Sequence, residues 1–209
     1  MLFVLAGVNG AGKSSVGGQW LAQAGLAWFN PDTFAREWMA SARCGPQEAN
    51  AVAWAEGLRR LDDALANGRS HAFETTLGGS TLAARIEAAT KTHDVIVWYC
   101  GLSSPEQYIG RVKARVAAGG HDIPEATIRQ RCQTSLKNLI GLLPHLAHLQ
   151  VYDNSAEAKV GQPISDPLRV AEIKAGKLVR PTRPEALLRT PHWAKPVLEA
   201  ALSMAPGRG

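Results

Sequence analysis

Apolar residues fall along this chain in two rhythms. Short unbroken runs occupy residues 2–6, 26–30, 71–74, 95–100 and 149–153, each bounded by Gly, Pro or polar residues. Runs of that length without alternation suit strands covered on both faces, as in a parallel sheet. Between them, residues 13–24, 33–42, 47–67, 81–89, 106–118 and 125–140 repeat apolar positions at helical spacing. Within 47–67, Ala51, Trp54, Ala55, Leu58, Leu61 and Leu65 form the predicted apolar face. Strand and helix alternating up to residue 153 predict an α/β fold. The expected form is a doubly wound, mainly parallel five-stranded sheet with helices on both faces.

The rhythm changes after Asp153. Six of the twelve prolines lie within 163–196, and residues 168–173 and 178–180 flank Ala175-Gly176-Lys177 as a short hairpin would. The expected organisation is a core over 1–160 and a Pro-rich appendage over 161–209. An apolar content of 45% with 20% charged residues excludes disordered and fibrous classes. The net charge of +5 is unevenly placed: residues 1–168 carry 15 basic and 15 acidic side chains, residues 169–209 carry 8 and 3. That basic tail lacks interleaved aromatics apart from Trp193, which argues against a stacking platform for nucleic acid. Cys44, Cys100 and Cys132 show no paired spacing and read as free thiols in a reducing compartment. No run approaches 18 apolar residues, so no membrane association is expected and a cytoplasmic location is.

The strongest chemical signal is Gly7-Val8-Asn9-Gly10-Ala11-Gly12-Lys13-Ser14, a full match to G-x-x-x-x-G-K-[ST] between a predicted strand and a predicted helix. Glycines at 7, 10 and 12 let the backbone curl so that N–H groups point inward at phosphate oxygens, and the helix N-terminus adds its dipole. Lys13 would reach the β and γ phosphates, and the Ser14 hydroxyl would ligate Mg²⁺. Spacing of G-x-x-G-x-G excludes the dinucleotide fingerprint. The apolar run 95–100 ends in Cys100-Gly101 with no Asp-Glu pair to activate water, so transfer to a bound acceptor fits better than an ATP-driven motor.

Two acids stand at predicted strand ends, where open α/β sheets bind ligands. Asp32, in Asn30-Pro31-Asp32-Thr33, could accept a proton from an attacking hydroxyl or help hold Mg²⁺. Equally, Asn30 could cap a helix, with Pro31 at its first position and Asp32 placed for the dipole. Glu74, before Thr75 and Thr76, could accept hydrogen bonds from substrate hydroxyls or simply open a loop. Residues 111–137 carry Arg111, Lys113, Arg115, Arg129, Arg131 and Lys137 against Asp122 and Glu125. With Gly119-Gly120 as a hinge and Pro124 opening a new helix, about 104–140 reads as an arginine-bearing helical lid over the phosphates.

These elements together resemble the zeta toxin-like kinases, a P-loop family named for bacterial toxins that phosphorylate UDP-N-acetylglucosamine. The likeness rests on Ala6 to Ser15, Phe29 to Asp32, Phe73 to Leu77, Arg115 to Pro124 and Tyr152 to Ser155, in family order over residues 1–155. The resemblance implies a P-loop kinase-type fold, with Asp32 as the base acting on a sugar hydroxyl. Lys13, Ser14, Ser15 and the backbone of Gly7, Asn9, Gly10, Ala11 and Gly12 would hold ATP and Mg²⁺. Glu74 and Thr75 would line the acceptor pocket. Arg115 and either Arg129 or Arg131 would contact phosphates, and Asp153 to Ser155, including Asn154, would lie near the adenine. An antitoxin partner is implied on the same ground. Where the family carries arginine before tyrosine in the lid, this chain has Arg131-Cys132, so both downstream arginines stay candidates. A kinase for another acceptor, including a nucleic-acid end, and a non-catalytic ATP-binding module are the other open readings.

Overall fold

The computed structural model describes residues 1–14, 17, 18, 21, 25–156 and 166–204. Its sheet has the order β2-β1-β3-β4-β5-β6. The first four strands are β1 (Leu2–Ala6), β2 (His71–Thr75), β3 (Val95–Gly101) and β4 (His148–Asp153). They run parallel, with β1 between β2 and β3. A helix α1 begins at Lys13, directly after the glycine loop that leaves β1. The remaining helices of the core are α2 (Pro31–Ala42), α3 (Pro46–Ala66), α4 (Ser80–Ala89), α5 (Pro105–Ala117) and α6 (Glu125–Leu142).

Both faces of the sheet are covered, which explains why its strands read as continuous apolar runs. On one face, Val4, Val97 and Val151 pack against Ile86 of α4 and Leu139 and Leu142 of α6. On the other, Cys100 and Leu102 meet Tyr108, Ile109 and Val112 of α5. There α1 comes so close that a Cβ on Gly17 would fall 2.2 Å from Leu5 Cδ1. The α/β, mostly parallel architecture is the expected one, with six strands in place of five.

Two differences account for the count. Residues 26–30 do not form a strand: Phe29 makes one parallel bridge to Phe73, and then Asn30 turns away. The Phe29 N–H donates to Ala72 O at 2.8 Å and Glu74 N–H donates to Phe29 O at 2.9 Å, which anchors the segment without extending it. The predicted hairpin, in turn, joins the sheet. Strand β5 (Leu168–Lys174) pairs antiparallel with β4 and with β6 (Lys177–Arg180), and Ala175 and Gly176, both at positive φ, make the tight turn. A short helix α7 (Pro184–Leu188) and a longer α8 (Lys195–Met204) follow, and Val197, Leu198 and Ala201 of α8 enter the main core.

Helix α3 turns the expected Leu58, Leu61 and Leu65 toward the core but presents a different face in its first half. Ala49, Ala53, Leu61 and Ala64 are buried, while Ala51, Trp54 and Ala55 are exposed. In an alanine-rich helix two neighbouring faces are nearly equally apolar, and here the packing of Ala49 and Ala53 against Ala35 of α2 decides between them. No helix among the described residues is long and apolar enough to cross a membrane.

Candidate active site

The glycine loop between β1 and α1 is shaped by close approaches that no side chain would permit. Gly7, Gly10 and Gly12 have φ of 142°, 89° and 85°. A Cβ on Gly7 would lie 2.3 Å from Cys100 O, and one on Gly12 would lie 2.4 Å from Asn154 Nδ2. Positive φ and this crowding together make glycine obligatory at both positions. Asn154, just beyond the end of β4, is buried, and its Nδ2 donates to Ala11 O at 2.8 Å. Arg111 of α5 donates to Asn154 O at 2.7 Å. The loop is therefore clamped from the β4 side by Asn154, itself held by an arginine one turn before Arg115.

At the mouth of this cradle the structure assembles a compact polar network. Lys13 and Glu74 are 6% and 8% exposed, and Lys13 Nζ lies 3.5 Å from Glu74 Oε1. Ser14 Oγ donates to Glu74 Oε2 at 2.7 Å. Asn30 Nδ2 donates to the same oxygen at 2.9 Å and to Ser14 Oγ at 3.2 Å. The other end of the Asn30 side chain caps α2, accepting from the N–H groups of Asp32 and Thr33 at 2.9 and 3.1 Å. One amide thus ties the start of α2 to the phosphate cradle, and the capping it performs is what sets Asp32 at the rim.

Below this network lies a cavity of about 440 Å³. Its polar side includes Asn9, Lys13, Asp32, Glu74, Thr75 and Arg131, and its apolar side includes Phe29, Phe73, Leu58, Leu61 and Leu82. Arg131 NH1 donates to Asn9 Oδ1 of the cradle at 2.6 Å. Burial lowers the pKa of this guanidinium from its ordinary value, with the nearby Asp32 carboxylate acting in the opposite sense. Removal from water strengthens its attraction for an incoming anion. Thr75 lines the cavity while its Oγ1 accepts from Leu77 N–H at 2.9 Å, bending the chain after β2.

Asp32 also borders a second cavity, between α2 and the Gly119-Gly120 hinge. There Arg115 NH1 stands 3.7 Å from Asp32 Oδ2, and Arg115 NH2 donates to His121 O at 3.3 Å. With both partners more than a third exposed, this pair contributes no more than about 1 kcal/mol. It is loose enough for the arginine to be recruited elsewhere. Arg115 Nε has no hydrogen-bond partner among the described residues. Gly120 makes room for this side chain, since a Cβ there would lie 2.7 Å from Arg115 Cγ.

The structure thus brings Gly7, Asn9, Gly10, Ala11, Gly12, Lys13, Ser14, Asp32, Glu74, Thr75, Arg131 and Asn154 around one cleft, with Arg115 at its edge. It does not bring Arg129 there: that side chain pairs with Glu106 of α5 at 2.8 Å, half exposed, and does not line the cavity. Residues 129 and 131 point to different sides of α6, so only one of two arginines this close in sequence can reach the cradle. Ser15 lies outside the described residues. The double role of Asn30, the clamp by Arg111 and the apolar wall from α3 were not among the sequence expectations. The Asn-Pro pair signalled only the cap.

Among the described residues no group of three or more His, Cys, Asp or Glu could cage a metal ion. A hydroxyl at the cradle with a carboxylate 2.7 Å away suits a cation that arrives on phosphates and keeps most of its ligands from them. Ser14 and its surroundings fit Mg²⁺ in that manner.

Comparisons with known proteins bear on the fold. No curated protein matches the sequence. Among solved structures, the complex of AvrRxo1-ORF1 with AvrRxo1-ORF2 and sulphate ions aligns with a TM-score of 0.61 at 17% identity, covering 91% of this chain and 63% of that one. The AvrRxo1-ORF1:-ORF2 complex with ATP aligns at 0.60 and 16%, covering 100% and 65%. The PezAT toxin-antitoxin system of Streptococcus pneumoniae aligns at 0.53 and 14%, covering 79% and 74%. The chain therefore spans less than two thirds of the AvrRxo1 chains it resembles, and these likenesses establish a P-loop kinase-like fold. The AAA domain model matches residues 2–135, from β1 through more than half of α6. That stretch holds the cradle, both carboxylates and the arginines of α5 and α6, and by it the chain belongs to the AAA domain family.

Proposed function

We propose that this protein is an ATP-dependent kinase of the zeta toxin-like type, transferring the γ-phosphoryl group to a hydroxyl of a small molecule. A UDP-activated amino sugar is the acceptor put forward. The observation that carries the reading is one cavity in which Asp32 and Glu74 face Lys13 and Arg131 at the cradle's mouth. A cleft where carboxylates and cations meet at the cradle suits a hydroxyl nucleophile meeting a phosphate. The ATP-bound and partner-bound AvrRxo1 complexes and the PezAT system support nucleotide binding and an antitoxin-like protein partner by analogy. A cytoplasmic location follows from the need for ATP.

The cradle N–H groups and Lys13 bind the β and γ phosphates, and Lys13 exchanges Glu74 for them. Ser14 would hold Mg²⁺ arriving with the nucleotide, which would supply neutralisation of phosphate charge. Freed from Lys13 and Ser14, Glu74 turns its oxygens to the acceptor hydroxyls together with Thr75. Asp32 accepts the proton of the attacking hydroxyl as its oxygen bonds to the γ phosphorus and the bond to the β-phosphate oxygen breaks, leaving ADP. Arg131, already on the cradle, and Arg115, swinging from Asp32, neutralise charge on the transferring group.

Purified protein with ATP, Mg²⁺ and a panel of UDP-sugars, followed by ³¹P NMR, tests this. A new phosphate monoester is expected, with Asp32→Ala slowing it at least about 100-fold. Equal turnover in Asp32→Ala would remove the base assignment. Phosphorylation of an oligonucleotide end alone would change the acceptor, and ATP binding without any transfer would reject the kinase reading.

A further inference from the structure

The match to the family ends at residue 135, but the nucleotide loop does not rest on matched residues alone. Trp193, from the turn before α8, lies across the end of β3. Its ring is so close to Gly101 that a Cβ there would fall 2.3 Å from Trp193 Cη2. It also packs at 6.2 Å, centroid to centroid, from Tyr99. Its Nε1–H donates to Asp153 Oδ1 at 3.1 Å. That same oxygen accepts from Ser155 Oγ at 2.5 Å, and Ser155 Oγ accepts from Ser103 N–H at 2.7 Å. Between the two acceptors of this arrangement sits Asn154, whose own N–H donates to Gly101 O at 2.9 Å and whose side chain grips Ala11 of the cradle.

We propose that Trp193 is a nucleotide-positioning residue, acting through Asp153 and Asn154 on the glycine loop, so that the segment beyond β4 completes the ATP site. The proposal rests on the kinase reading for the identity of the nucleotide. The physical argument is one of shared anchorage. Residues 153–155 leave the sheet and have no strand partner to set their conformation beyond Asp153. Bonds from several elements fix them: Trp193 and Ser155 to Asp153, Ser103 and Gln107 to Ser155, and Gly101 and Arg111 to Asn154. Asp153 also pairs with Leu168 of β5, and among the side-chain donors of the described residues Trp193 alone reaches this turn from beyond residue 156. Its indole N–H is directional; phenylalanine at 193 removes that donor, leaving the Asp153 carboxylate to Ser155, and gives up the outer-ring contact with Gly101. Rotation of Asp153 would be transmitted to Asn154, one peptide away, and to a contact with the cradle held at 2.8 Å. Groups that must be ordered on binding weaken affinity by the cost of ordering them. The effect should therefore appear in nucleotide affinity first and in the acceptor site hardly at all.

The test compares wild type with Trp193→Phe, which keeps a ring, and with Asp153→Ala and the double variant. Each is measured for binding of a fluorescent ATP analogue with Mg²⁺ and for hydrogen exchange at Asn154 and Ser155. Trp193→Phe should weaken nucleotide binding by about five- to tenfold and speed exchange at these amides. The double variant should be no worse than Asp153→Ala alone, because both remove one link. With an acceptor that the wild type phosphorylates, KM for ATP should rise while kcat and the acceptor KM stay within about twofold. Affinity within twofold of wild type in Trp193→Phe would overturn the proposal, as would losses that add fully in the double variant. A merely structural role would lower Tm and leave affinity in the folded protein unchanged, which also counts against it. If wild type itself binds no ATP, both the kinase reading and this one fall, an outcome distinct from a variant-specific null.

Discussion

Replacing Glu74 by Gln should destabilise the ligand-free protein and at the same time make it more responsive to nucleotide. Glu74 Oε1 faces Lys13 Nζ at 3.5 Å with both side chains under a tenth exposed, and Oε2 accepts from Ser14 and Asn30. At that distance and an effective dielectric of about 20, the attraction lost is roughly 5 kcal/mol. Part of it is recovered because the carboxylate's own desolvation disappears, and glutamine keeps an acceptor for Ser14 or Asn30. A lysine left buried without counter-charge brings the net cost to about 3 kcal/mol. For a chain of this length each kcal/mol lowers Tm by about 2–4 °C, so a drop of roughly 6–12 °C is expected by scanning calorimetry. Adding ATP with Mg²⁺ restores an anion to Lys13 in both proteins. In wild type the phosphates must first displace Glu74, whereas in Glu74→Gln they do not, so the nucleotide-induced rise in Tm should be larger in the variant. A ligand-free Tm within about 1 °C of wild type, or an equal rise with ATP, would refute the view of Glu74 as the resting partner of Lys13.

The two arginines of α6 should separate cleanly: Arg131→Ala, which removes a half-buried donor to Asn9, should lower turnover at least tenfold, while Arg129→Ala should stay within about twofold, since its exposed pair with Glu106 is screened by water and lies off the cavity. Comparable losses in both would overturn the placement. Thiol labelling at pH 8 should also discriminate by burial. Cys100 is fully buried, and desolvation pushes its thiol up to about 12, so it should react only on unfolding, while half-exposed Cys44 reacts first. Rapid labelling of Cys100 in the native protein would contradict the packing of β3 against α5.

Much of the scaffold was legible because local rules and tertiary packing agree there. The cradle announces itself by glycines whose positive φ is required, and α2 by a cap, Asn30, followed by proline. Where the two disagree, the sequence misleads. Residues 26–30 are as apolar as a strand, yet the side chain that ends them is better used as a cap. The same choice stops the pairing after a single bridge. Helix α3 offers two apolar faces, and only its contact with Ala35 picks one. The hairpin after residue 166 is readable from its turn, but its pairing with β4 is set by distant strand edges that no local pattern encodes. In the site, carboxylates and arginines could be nominated by type and position. Which arginine points inward depends on helix phase, which the motif does not carry.

The place of β1 in the sheet bears on how the molecule is made. Leu2 pairs with His71 on one side and Val95 on the other. On a ribosome, β1 and the glycine loop are synthesised well before either neighbour exists. An apolar strand with two open edges must wait, shielded or chaperoned, for some ninety residues to follow. Closing such distant contacts costs chain entropy before any burial rewards it, which slows folding. The bond from Asn154 to the glycine loop requires still later sequence. A nascent chain that has not yet delivered β4 therefore holds the loop's sequence without its clamp, and competence to bind nucleotide is expected to arrive only near the end of synthesis.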